Sequence, residues 1–130
     1  MRKIATILAL LLSVQILVSA EEITVRMLGM VKDPGVKKIE KKTSLIGLIH
    51  LSGGAKLGGC PKSIMIKEVI NGKQKLREVN AVSIVDYKTP DIDLVEGQTI
   101  WIPENVIPCM TKDQIDAFNA RLPEYLGIEQ

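Results

Sequence analysis

Ser44-Leu45-Ile46-Gly47-Leu48-Ile49-His50-Leu51-Ser52-Gly53-Gly54 reads as a short helix with its stop signal attached. Leu45, Leu48, Ile49 and Ser52 recur at helical spacing, and Thr43 is placed to cap the first free N–H groups. Gly53-Gly54 supplies the left-handed backbone usual just past a last helical turn. A helix this short, apolar on one side, is stable only when laid on another element, so the stretch predicts a sheet beneath it.

The flanking sequence provides that sheet. Ile23, Val25 and Met27 alternate with Thr24, Arg26 and Leu28 up to Gly29, the period of a half-buried strand. Asp33-Pro34-Gly35-Val36 reads as a type II turn into a short second strand at 36–39. After a Gly-rich loop at 55–61, Ile64–Ile70 forms a third strand, and Asn71-Gly72 marks a type I′ hairpin into a fourth at 74–79. Residues 80–97 read as irregular, with one apolar run at 82–85. Glu96-Gly97-Gln98 then turns the chain into Thr99-Ile100-Trp101-Ile102, a last strand closed by Pro103. In the tail, Thr111 and Gln114 spell a capping box, and Ile115, Phe118 and Leu122 form one stripe, predicting an amphipathic helix over about 112–122 that stops before Pro123.

The first twenty residues predict a cleavable secretory signal, with a retained N-terminal anchor as the competing reading. Arg2 and Lys3 precede an apolar stretch at 4–18, and Val18-Ser19-Ala20 offers small residues at a cleavage site. No Cys follows Ala20, so a lipid anchor is not expected, and Leu57-Gly58-Gly59-Cys60 reads as a loop. Of 17 basic residues the signal removes Arg2 and Lys3, leaving 15 against 15 acidic ones. A near-neutral chain makes no general case for nucleic acid or an acidic membrane as partner. The remaining chain of about 110 residues suits one domain. Both cysteines, Cys60 and Cys109, lie in the exported part, where an oxidising compartment favours one disulfide over two thiols.

The order strand, turn, strand, helix, hairpin, loop and last strand is that of an α+β, β-grasp (ubiquitin-like roll) fold: a mixed sheet with one helix packed on it. Three pieces resemble one branch of that fold, the SLBB (soluble ligand-binding β-grasp) domain. They are Val31-Lys32-Asp33-Pro34-Gly35-Val36, the helix 44–54 ending in a small residue plus Gly-Gly, and Leu94-Val95-Glu96-Gly97-Gln98-Thr99-Ile100-Trp101-Ile102-Pro103, like that family's closing strand. The organisation expected is a signal at 1–20, an SLBB-like domain at 21–104 and a C-terminal extension at 105–130. The resemblance implies a part in bacterial polysaccharide export or capsule assembly, with export or assembly proteins as partners, the polysaccharide itself as a further one, and self-association left open. Gln98 stands where the family usually has Asp. The export domain that normally precedes SLBB repeats is not seen, so a soluble periplasmic accessory protein is expected rather than a whole outer-membrane channel. The alternative is a small-ligand-binding module unrelated to polysaccharide. A DNA-binding role, known in competence relatives, ranks lower, because the tail lacks their paired-helix unit.

The resemblance also bears on the cysteines. In a β-grasp sheet the last strand lies antiparallel to the strand after the helix, which brings Cys60 and Cys109 to the same edge. A disulfide there would tie the tail helix to the domain. Alternation sets Ile100 and Ile102 under the helix and Trp101 on the other face. The expected cover for that face is the tail helix with Phe118 and Leu122; the alternative is a Trp101 platform for a partner or a sugar ring. Lys37, Lys38, Lys41 and Lys42 form a basic cluster, either a solvated edge or a contact for an anionic glycan. The single histidine, His50, falls off the helix stripe. No catalytic or metal set can be assembled around it, so a non-enzymatic protein without cofactor or metal is expected.

Overall fold

Alternation in β1 (Glu22–Gly29) buries Ile23, Val25 and Met27 and sends Thr24, Arg26 and Leu28 to the opposite face. In the computed structural model, which describes residues 21–128, this strand is one of five in a mixed sheet of order β2-β1-β5-β3-β4. The others are β2 (Gly35–Glu40), β3 (Ile64–Ile70), β4 (Lys73–Val79) and β5 (Thr99–Ile102). β5 runs parallel to β1 and antiparallel to β3, and the β1/β2 and β3/β4 pairs are antiparallel. The structure is thus α+β with a mixed sheet. The expected signal falls in residues 1–20, outside the described residues. Among the described residues no helix is long and apolar enough to cross a membrane.

The quoted helix is α1 (Leu45–Leu51), which buries Leu45, Ile46, Leu48 and Ile49. Its cap is Ser44 rather than the expected Thr43: the Ser44 hydroxyl accepts from the Gly47 N–H at 3.2 Å. Ser52 must be small, because it is fully buried where the chain leaves the helix. Gly53 and Gly54 then take φ of +84° and +88°. The β1–β2 connection is wider than the expected tight turn. Gly35 has φ +131° but already pairs with Met27 as the first residue of β2. Asn71 and Gly72, at φ +52° and +76°, make the expected hairpin.

Two helices depart from expectation. Residues 81–85 are not irregular but form α2 (Ala81–Val85), capped by Asn80 and burying Ala81, Ile84 and Val85. The tail helix, α3 (Lys112–Leu126), has the expected Thr111/Gln114 capping box but runs through Pro123 for another turn, ending at Gly127 with φ +71°. Pro123 is buried, and Tyr125 and Leu126 pack on the core, so tertiary contact overrides the proline stop. Three helices, not one, therefore serve the same core, and Ile115, Phe118 and Leu122 of α3 complete it. The tail is part of the domain rather than an appendage to it.

α3 also satisfies backbone that no strand reaches. The Asn119 amide accepts from the Ala55 N–H at 2.8 Å and donates to the Ala55 carbonyl at 2.9 Å. Ala55 is buried, so removing the clamp strands both groups away from water. Asn119→Ala is expected to lower unfolding free energy by about 2–3 kcal/mol, read from urea midpoints at unchanged m-value. A loss below about 0.5 kcal/mol would mean that the clamp is redundant.

Candidate functional site

The helices occupy one face of the sheet, and among the described residues no helix lies on the other. Strand register arranges that open face in rows. Leu28 sits beside Trp101, and Trp101 beside Met65, giving an apolar row across β1, β5 and β3. The next row runs Arg26, Thr99, Lys67 and Leu76. A shallow cavity of about 330 Å³ opens over Leu28, Met65, Leu76 and Trp101, with Lys67, Gln74 and Thr99 as its polar lining.

Trp101 is 48 % exposed here, so the expected cover by Phe118 and Leu122 is corrected. Those two side chains are buried in the core on the helical face. The reason is geometric: seven residues make α1 only about 10 Å long, too short to cover five strands about 4.8 Å apart, so α3 is needed on the face α1 already occupies. The indole rests on backbone. A Cβ built on Gly29 would lie 2.4 Å from Trp101 Cδ1, so only glycine at that point admits the ring.

The turn before β5 fixes the row's height on the sheet. The Glu96 carboxylate accepts from the Thr24 N–H, the Gly97 N–H donates to the Thr24 carbonyl at 2.9 Å, and Gly97 has φ +84°. Gln98 is buried; its oxygen accepts from the Val95 N–H at 2.7 Å and its amide donates to Glu68 at 2.9 Å. A carboxylate at 98 could not donate to Glu68 as the Gln98 amide does.

At the far end of β5 the Pro103 carbonyl accepts from the Cys60 N–H at 3.0 Å, and Cys60 and Cys109 form a disulfide. Beyond Pro103 the loop exposes Val106 and Ile107. The lysine cluster is divided. Lys37 pairs with Asp33 at 2.6 Å, Lys41 with Glu21 at 3.1 Å and Lys42 with Glu40 at 3.4 Å. Lys38 points to the open face opposite Thr24. His50 is half-buried on α1 beside a separate depression shared with Ser44 and Leu126. Pro34 and the Gly53-Gly54 and Asn71-Gly72 pairs shape loops and lie outside the Trp101 cavity. Another cavity, of about 220 Å³, lies between α2 and α3, where Arg121 is held by the Asp86 carboxylate and the Val85 carbonyl. Burial, then the charge of Asp91, keeps the Tyr125 hydroxyl protonated to higher pH than usual, and the Asp116 hydrogen bond raises the Lys112 ammonium; both belong to α3.

Sequence reading singled out Trp101, with a binding platform as its alternative reading, but not Arg26, Lys67 and Leu76 beside it. Their signal is the strand alternation itself, which becomes a surface only once register is known. Compared with known proteins, the chain matches no protein-family model and no curated sequence.

Proposed function

We propose that this protein is a non-enzymatic binding module of β-grasp type, akin to SLBB domains, acting in the bacterial periplasm in export or assembly of a surface polysaccharide. The observation that carries the binding role is the open face around Trp101. An apolar row of exposed Leu28 and Trp101 with half-buried Met65 lies open on the strands, beside a neighbouring row that carries the cations Arg26 and Lys67. Tryptophan and arginine are the residues that most often dominate binding energy when a partner buries them. The strand order, with the last strand central and parallel to the first, supports the fold assignment. The disulfide supports an oxidising compartment. In this reading an export or capsule-assembly protein docks on the apolar row, and Arg26 and Lys67 orient it.

Trp101 is the only tryptophan, so its emission reports directly on this face. Adding fractionated export proteins should shift that emission to the blue, and Trp101→Ala should weaken their capture at least about tenfold while the fold is kept. Unchanged capture by a folded Trp101→Ala variant would remove the face from the mechanism. A second reading, a small-ligand module, is favoured by the size and mixed lining of the 330 Å³ cavity. A saturable shift with a sugar or other small molecule and none with proteins would select it.

A further inference from the structure

β4 is a bare sheet edge of seven regular residues, free of proline and bulges. The two-residue turn makes Ile70 and Lys73 a bonded pair, and bonded pairs then alternate along the hairpin. The backbone groups of Gln74, Leu76 and Glu78 therefore point outward, and no other element bonds them among the described residues. Between them Lys73, Lys75 and Arg77 place three exposed cations on one face of the edge, and none forms an ion pair there among the described residues. The nearest acid across the ladder, opposite Lys75, is Glu68, which is engaged by Gln98.

From this we infer that the β4 edge accepts an extended acidic peptide segment of a partner protein as a sixth strand. Outward bonding at 74, 76 and 78 puts the new strand's residues opposite Lys73, Lys75 and Arg77 in non-bonded pairs, where side chains come closest. Acidic residues at those alternate positions meet three cations. The residues between them fall on the other face, beside Leu76, and extend the Trp101 surface. A second copy of this chain does not fit: every antiparallel register that keeps the outward groups bonded sets a cation of one β4 against a cation of the other, or against Val79. Lysine on an edge is a common defence against self-pairing. Here the same pattern leaves the edge open to a partner of opposite charge. A flexible anionic glycan would answer the charge but not the ladder of N–H and carbonyl groups. The inference does not depend on the polysaccharide reading.

The test uses the purified protein and an eight-residue peptide of alternating glutamate and threonine, beside oligoglutamate and a uronic-acid oligosaccharide of equal charge. The alternating peptide should bind saturably and tightest of the three. Exchange of the Gln74, Leu76 and Glu78 amides should slow at least about tenfold at saturation. Reversing Lys73, Lys75 and Arg77 to glutamate should weaken binding at least about tenfold. Leu76→Pro, which keeps every charge but removes an outward N–H, should abolish it. Absence of peptide binding overturns the inference. So does equal binding of the oligosaccharide with Leu76→Pro unaffected, which would make the strip a charge contact only.

Discussion

Gly29→Ala is expected to destabilise the domain by at least about 3 kcal/mol, from two independent causes. The backbone there has φ +86°, which costs a non-glycine residue about 1–2 kcal/mol. The added Cβ would also lie 2.2 Å from the Ile102 carbonyl oxygen and 2.4 Å from the Trp101 ring. The ring can swing away, but the carbonyl cannot: it accepts the Met30 N–H at 2.9 Å at the end of the parallel β1–β5 pairing. Relief therefore requires β1 to peel from the centre of the sheet. Gly72→Ala is the control, since Gly72 has φ +76° with no atom within 4 Å of a built Cβ. Its expected loss is the conformational cost alone, about 1–2 kcal/mol. Denaturation midpoints measure both, and in Gly29→Ala the Trp101 emission should move to the red as the ring leaves its backbone seat. Equal losses in the two variants would show that the steric contact is relieved at little cost.

That position also marks where sequence reading stops. The β1 alternation, the Asn71-Gly72 hairpin and the Thr111/Gln114 box were legible because each is a local preference that tertiary structure does not oppose. The α2 helix was missed although its signal was present: Asn80 precedes Ala81, Ile84 and Val85 at helical spacing. Valine and isoleucine between them resemble strand residues, and five residues give the period little room to show. The extra turn of α3 was not legible, because Pro123 is an ordinary stop that only buried contacts overrule. The candidate site was half legible. Alternation sets Trp101 apart from Ile100 and Ile102, but a stripe of Ile115, Phe118 and Leu122 does not say which face of a sheet it will bury. The lysine run divides for a related reason: adjacent strand residues point to opposite faces, and each of three lysines has an acid within reach.

Removing the Cys60–Cys109 disulfide is the second large effect expected. Its partners lie 49 residues apart, and closing a loop of that length in the unfolded chain stabilises the fold by about 4 kcal/mol. In a domain of this size that is a large share of total stability and corresponds to a fall in Tm of roughly 15–25 °C. Whether α3 then leaves is decided by comparing terms. Ile115, Phe118 and Leu122 are buried, and each contributes about 1.5–3 kcal/mol as an upper estimate; together with the Asn119 clamp they exceed the tether that is lost. The Cys60→Ala/Cys109→Ala variant should therefore remain folded with α3 docked and unfold in one step at a lower midpoint. Hydrogen exchange separates the outcomes. Protection of α3 and of β3 should fall together, by the same free energy, whereas selective loss in α3 would show that the disulfide alone holds the tail. Thiol labelling of the denatured, unreduced protein should find no free thiol; two reactive thiols would remove both the tether and the compartment argument built on it.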